Sequence, residues 1–129
     1  MARHLAEPFI RSALNLGRAV EQFLGGFTDG EDPAIRWLAL RQDGSGVVVS
    51  LYEALDEGGE DWMDVYEFTR ANGDPDEPEE PSAEHPCDSL EEALALAADL
   101  YGAAPDRFVN EGMVQDEYLD FVRRQRRNA

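Results

Sequence analysis

The stretch IRWLALRQDGSGVVVSLYEALDEGGEDWMDVYEFTR, residues 35–70, decides the fold class of this chain. It contains three runs of apolar and aromatic side chains, separated by two turns that are rich in Gly and in acidic residues. Glycine adopts the positive φ angles of tight turns without a steric penalty, so the first turn, residues 43–46, predicts a β-hairpin. We therefore expect a three-stranded antiparallel meander with strands at 35–41, 47–55 and 62–69.

Both faces of this predicted sheet carry apolar groups. In the second strand, Val47, Val49 and Leu51 point to one face, and Val48 and Tyr52 point to the other. A sheet with apolar groups on both sides needs cover on both, so we expect helices over one face and partial cover over the other. An aromatic face that is left open is a candidate interaction surface.

The segments on either side of the meander predict three helices. Residues 7–24 carry apolar side chains at steps of three and four, and two glycines end this helix. Residues 90–101 begin with a capping box formed by Ser89 and Glu92, and residues 113–125 show another apolar stripe. The predicted fold class is therefore α+β: a three-stranded antiparallel β-meander with an N-terminal helix and two C-terminal helices packed on it.

The length of the chain predicts a single α+β domain over residues 1–129. Within it, residues 71–87 contain four prolines and many acidic residues. A segment with so little apolar surface gains little from burial. We therefore expect residues 71–87 to form an acidic, Pro-rich loop that is extended or mobile.

The chain is strongly acidic, with 28 Asp and Glu residues against 11 basic residues, and its formal net charge is −17. Such a charge repels nucleic acid and anionic membranes and attracts basic proteins. It also keeps a small protein in solution without any specific role. We therefore expect neither nucleic acid nor a membrane as a partner, and the charge favours a basic protein.

The composition also indicates a compartment. Cys87 is the only cysteine, so no intrachain disulfide forms, which is typical of a reducing environment. No apolar run reaches the length of a membrane span, and the N-terminal residues lack the apolar core of a secretion signal. We expect a cytoplasmic protein, and the exclusive use of Arg as the basic residue indicates GC-rich coding and a bacterial source.

Signatures of catalysis and of cofactor binding are missing from the sequence. It contains no glycine-rich phosphate loop between a strand and a helix, no His-Glu-x-x-His motif and no pair of Cys-x-x-Cys motifs. Cys87 lies two residues after His85 and ahead of a predicted helix, where a thiol pKa is lowered, but a plain structural thiol is the favoured interpretation. No catalytic residue, metal ligand or cofactor is predicted.

The second turn of the meander holds the densest group of carboxylates in the predicted ordered structure. It has four interpretations: a solvated turn, a docking site for a basic partner, a divalent-cation site, or an acid–base catalyst. Aromatic side chains beside it would supply anchors for a protein partner. The predicted partner-binding residues are Asp56, Glu57, Glu60, Asp61, Asp64, Tyr52, Trp62 and Tyr66.

Three functional classes remain open. The favoured one is a small acidic, non-catalytic protein-binding module that engages or neutralises a basic protein, as immunity proteins, antitoxins and inhibitors do. The second is a structural domain that self-associates, for example as a homodimer, through the sheet face. The third is a small enzyme whose site gathers residues from separate segments, such as Glu53, Asp64, Glu67 and His85.

Overall fold

The computed structural model describes residues 3–71 and 80–127, and the side chains of residues 126 and 127 lie outside the description. The fold class is α+β, as predicted, with helices packed on an antiparallel sheet. In chain order the elements are α1 (Glu7–Asn15), β1 (Val20–Asp29), β2 (Asp32–Asp43), β3 (Gly46–Leu55), a 3₁₀-helix (Val65–Glu67), β4 (Ala83–Cys87), α2 (Leu90–Tyr101), β5 (Val109–Asn110) and α3 (Val114–Arg127).

The sheet has five antiparallel strands in the spatial order β4-β3-β2-β1-β5. Strand β2 lies at its centre, and Trp37 in β2 stands opposite Phe23 in β1 and Tyr52 in β3. Strand β4 extends the sheet beyond β3, and the two-residue strand β5 extends it beyond β1. The first two predicted strands lie within β2 and β3, but the predicted three-stranded meander is wrong in the number of strands and in its third strand.

The first correction concerns residues 62–69, which were predicted as the third strand. They form a loop that contains the 3₁₀-helix. Val65 and Phe68 are buried, and their spacing of three residues matches the 3₁₀ repeat. The alternation of apolar and polar residues in this stretch resembles that of a strand, but its buried residues are spaced three apart.

The second correction concerns the predicted helix over residues 7–24, which ends at Asn15. Gly17 follows with φ +78°, a left-handed conformation that ends a helix and that other residues rarely adopt. The chain then enters β1, where Phe23 and Val20 belong to opposite faces of the sheet. Their three-residue spacing suited a helix equally well, which explains the wrong prediction.

The acidic, Pro-rich segment predicted at residues 71–87 lies in part outside the described residues, which exclude 72–79. Its last five residues form β4, which pairs with β3 so that Cys87 stands opposite Val47. Few apolar side chains mark β4 in the sequence. Its strand conformation follows from backbone hydrogen bonding to β3.

The two remaining helices agree with the prediction. Ser89 caps α2, since its hydroxyl oxygen accepts a hydrogen bond from the Glu92 amide at 3.1 Å, and Gly102 ends the helix with φ 69°. The Glu92 carboxylate accepts from the Asp88 amide at 2.7 Å, one residue before the position that a standard capping box uses. No helix in the described ranges has both the length and the apolar character needed to cross a membrane.

The sheet separates two groups of buried side chains. On the first face, α1 and α2 cover a cluster that includes Leu38, Leu40 and Val49. On the second face, α3 and the loop after β3 cover a cluster that includes Trp37 and Tyr118. Beside this second cluster lies a cavity over β2 and β3, and two of the predicted partner-binding residues, Tyr52 and Tyr66, line it.

Candidate functional site

The predicted partner-binding residues fall into two separate places, of which the first is the acidic loop, residues 56–64. This loop leaves the end of β3 and turns back on itself through a bridge between Gly59 and Trp62. The Gly59 amide donates to the Trp62 carbonyl oxygen at 2.9 Å, and the Trp62 amide donates back at 3.3 Å. The tip of the acidic loop is therefore a closed, hydrogen-bonded turn.

Asp56 and Glu57 hold the acidic loop against the rest of the molecule. The Tyr118 hydroxyl donates to the Asp56 carboxylate, and the Asp56 amide donates to the Pro33 carbonyl oxygen at 2.9 Å. The Glu57 carboxylate accepts from both the amide and the hydroxyl of Thr69. Burial, together with the bond to the Asp56 carboxylate, raises the pKa of Tyr118, so the phenol keeps its donor proton. These two carboxylates thus have internal structural roles.

The tip of the acidic loop presents an aromatic side chain among carboxylates. The side chain of Trp62 is 45% exposed and packs edge-on against Phe68, with ring centroids 4.9 Å apart. Asp61 is exposed beside it, and Glu60 lies 3.8 Å from the Arg123 guanidinium. One carboxylate oxygen of Asp64 is buried and has no hydrogen-bond partner among the described residues.

The second place is the aromatic pocket, to which Tyr52 and Tyr66 belong. It is a cavity of about 210 Å³ on the second face of the sheet. Trp37 stacks on Tyr52 with centroids 5.4 Å apart, and Tyr66 meets Trp37 edge-on at 6.0 Å. The lining residues are Glu21, Trp37, Ala39, Arg41, Tyr52, Tyr66, Arg70 and Glu111.

Glu21 is the buried carboxyl group of the aromatic pocket, with 4% of its surface exposed. Its carboxylate accepts from the Tyr66 hydroxyl at 2.5 Å and from the Gly112 amide at 2.9 Å. Burial raises the pKa of Glu21, and these two hydrogen bonds act in the opposite direction. Burial and the bond to Glu21 likewise raise the pKa of Tyr66. The contact ties β1 to the loop after β3 and to the turn before α3.

Sequence reasoning missed Glu21 because this residue lies within the segment, residues 7–24, that was predicted as a helix. In β1 its side chain instead shares the second face of the sheet with Phe23. A signal was present in the sequence: Asp29-Gly30 is a hairpin dipeptide, and it stands at the end of β1, which pairs with β2. Its recognition would have made the preceding segment a strand and turned Glu21 inward.

The ionisation of Glu21 gives a pH-dependent prediction. Because its folded-state pKa is raised, the folded protein retains a proton that the unfolded chain releases, so stability decreases as pH rises from the ordinary value of 4.5 through the raised value. Glu21→Gln removes this ionisation. The free energy of unfolding is measured by urea denaturation for Glu21→Gln and for wild type. We expect the value for Glu21→Gln minus the value for wild type to increase from about pH 4 to about pH 8.

The control for this prediction is Glu31→Gln, since Glu31 is exposed at the turn between β1 and β2. Glu31→Gln removes the same kind of side chain without touching the contact between Glu21 and Tyr66, so the Glu21→Gln difference from wild type should vary more with pH than the Glu31→Gln difference. A Glu21→Gln difference that does not vary with pH would show that the Glu21 carboxyl titrates alike in the folded and unfolded chains, contrary to the prediction.

The residues considered for an enzyme do not come together. Glu53 accepts from Arg36 at 2.9 Å, and His85 contacts the Tyr101 hydroxyl at 2.6 Å, both on the sheet face that the first two helices cover. Asp64 and Glu67 lie in the loop after β3. These residues therefore fall into two groups, one on that face of the sheet and one in the loop.

Cys87 and the carboxylates show no assembled metal or thiolate chemistry in the described residues. Cys87 is buried, and burial together with the negative charges of Glu92 and Asp88 raises the pKa of its thiol. This is the opposite of the activation that a helix N-terminus would supply. Over residues 3–71 and 80–127, no group of three or more His, Cys, Asp or Glu side chains is placed to hold a metal ion.

Comparison with known proteins adds no constraint to this site. No protein-family model, no curated protein and no solved structure matches the chain. The functional argument therefore depends on the geometry of the acidic loop and the aromatic pocket.

Proposed function

We propose that this protein is a non-catalytic acidic binding module that engages a basic protein partner through the tip of the acidic loop. The observation that carries the proposal is Trp62, a large aromatic side chain that stays 45% exposed at the tip, next to Asp61 and Glu60. Aromatic side chains supply much of the binding energy at protein interfaces, and surrounding carboxylates select a cationic partner.

The internal bonds of the acidic loop support this role. Asp56 is tied to α3 through Tyr118, Glu57 is tied to Thr69, and the Gly59–Trp62 bridge closes the tip. A loop that is already ordered loses little conformational entropy when it binds. Trp62 is therefore presented to a partner in a defined position.

The charge distribution supports the choice of partner. Asp61 is exposed, and it forms no ion pair with any described residue. It is therefore available to an Arg or Lys side chain of the partner. The net charge of −17 increases the rate of encounter with a basic protein, and salt reduces that effect.

The test uses immobilised protein as bait for extracts of the source organism, at low and at high salt, with quantitative mass spectrometry. The baits are wild type, Trp62→Ala and Asp61→Arg, with Phe9→Ala and Asp32→Arg as matched controls. Phe9 is an exposed aromatic residue on α1, and Asp32 is an exposed carboxylate at the start of β2. Each control thus repeats the chemical change at another surface position.

We expect a basic protein that wild type and both controls retain at high salt, and that the two acidic-loop variants retain at least about tenfold less. The proposal is contradicted if Asp61→Arg and Asp32→Arg weaken retention equally, because net charge alone would then govern binding. It is also contradicted if Trp62→Ala retains the same proteins as Phe9→Ala.

A further inference from the structure

The aromatic pocket has no part in the proposed contact at the loop tip, and its shape requires its own explanation. Strand β2 contributes Ala39 to its lining, a buried residue whose side chain is a single methyl group. Trp37 and Tyr52 stand beside Ala39 as larger walls. Ordinary protein interiors leave few voids of this kind. The small side chain at the centre of the sheet keeps the cavity open.

The charged side chains that line the aromatic pocket differ in how firmly other residues hold them. The Glu21 carboxylate already accepts from Tyr66 and Gly112. The Arg41 guanidinium lies 3.8 Å from Glu111 at the mouth, and more than half of each side chain is exposed. Solvent screens such a long, exposed ion pair, so it holds the Arg41 side chain weakly. Arg41 is therefore able to turn its guanidinium towards an incoming anion.

The aromatic rings are less suited to a cation. The Arg70 guanidinium lies over both rings of the stacked pair, 5.2 Å from the Trp37 centroid and 5.5 Å from the Tyr52 centroid. A ligand cation would compete with this internal guanidinium for the same ring faces.

We propose that the aromatic pocket binds a small organic carboxylate with a flat, apolar body about the size of one ring. Arg41 binds the carboxylate at the mouth, and the partly exposed rings of Tyr52 and Tyr66 contact the body beside the buried Trp37. The size limit follows from the cavity of about 210 Å³, which is below the roughly 300 Å³ at which ordinary small-molecule pockets begin.

The test is a titration with benzoate, followed by the fluorescence of Trp37. Trp62→Phe serves as the background, since it leaves Trp37 as the only tryptophan and keeps an aromatic ring against Phe68. Benzylamine, which has the same ring and the opposite charge, is the comparison ligand. We expect saturable binding of benzoate at millimolar concentrations or below, and binding of benzylamine that is at least about tenfold weaker.

Two variants test whether benzoate binds in the aromatic pocket. Arg41→Gln should weaken benzoate binding by about tenfold, the effect of losing one hydrogen bond to a charged group. Its control is Arg18→Gln, which removes another exposed guanidinium, located before β1, and should bind benzoate as tightly as the background does. Ala39→Leu should abolish binding, because the larger side chain occupies the cavity.

The proposal is overturned if benzylamine binds as tightly as benzoate, if benzoate gives no saturable signal at millimolar concentration, or if Arg41→Gln and Ala39→Leu both bind as the background does. Far-UV circular dichroism of Ala39→Leu checks that the sheet has formed. If Ala39→Leu fails to fold, the test is decided by the ratio of the benzoate dissociation constants of Arg41→Gln and Arg18→Gln. None of these readouts depends on a protein partner.

Discussion

Trp37→Ala is expected to lower the free energy of unfolding by about 3–5 kcal/mol, the range for removing a fully buried aromatic side chain. Trp37 is 1% exposed and contacts Tyr52, Tyr66 and Arg70. Its loss leaves a cavity at the centre of the second face of the sheet. Urea denaturation followed by far-UV circular dichroism measures the effect without a tryptophan signal.

The chain contains its own control for this prediction, because its only other tryptophan is Trp62. Trp62→Ala makes the same chemical change at a position that is 45% exposed, so we expect a cost of roughly 1 kcal/mol. Equal costs for the two variants would contradict the packing described for the second face. A small loss of stability in Trp62→Ala also matters for the binding test. Only if this variant stays folded can its loss of partner binding be assigned to the missing contact with Trp62.

The second large effect is expected from Gly58→Ala, in the acidic loop. A Cβ atom at Gly58 would lie 2.2 Å from the carbonyl oxygen of Trp62 and 2.4 Å from Cζ of Phe68. Relief of this overlap requires a backbone shift that strains the Gly59–Trp62 bridge. We expect a loss of about 1–3 kcal/mol in the free energy of unfolding, the usual cost of overpacking.

Gly59→Ala is the matched control, since a Cβ at the neighbouring position would meet nothing within 4 Å among the described residues. Its stability should stay within about 0.5 kcal/mol of wild type. Urea denaturation measures both variants, and amide hydrogen exchange at Trp62 reports whether the bridge has opened. Equal stability of the two variants would show that the chain does not turn so tightly at Gly58.

If the proposed function holds, Gly58→Ala should also retain less of the basic partner than Gly59→Ala, although neither variant changes a charge or an aromatic side chain. This follows because the position of Trp62 depends on the Gly59–Trp62 bridge. Equal retention would mean that the partner does not require the ordered tip.

The candidate site was predictable only in part. The aromatic and acidic residues around the second turn were identified because they are dense in the sequence. Their division into two places was not predictable, because Tyr52 lies in a strand and Tyr66 reaches the same pocket from the loop. Glu21 was missed for the same kind of reason, since its burial depends on Tyr66 and Gly112, which are distant in sequence.

The sequence by itself determined the features that depend on local chemistry. These are the acidic charge, the hairpin of β2 and β3 at Gly44, and the helices α2 and α3. Glycine sets the turn through its positive φ, and Ser89 sets a helix start through its cap. Such signals act over a few residues, so they are readable without the fold.

Only the tertiary structure decided which ambiguous segments became strands. The segment of β1 had apolar spacing that suited a helix, and β4 had almost no apolar pattern. Both became strands because β2 and β3 supply backbone partners along their edges, and buried backbone groups must be hydrogen-bonded. Residues 62–69 had a strand-like pattern but burial at a period of three, and they became a loop. Pairing between distant segments therefore decided what local propensity left open.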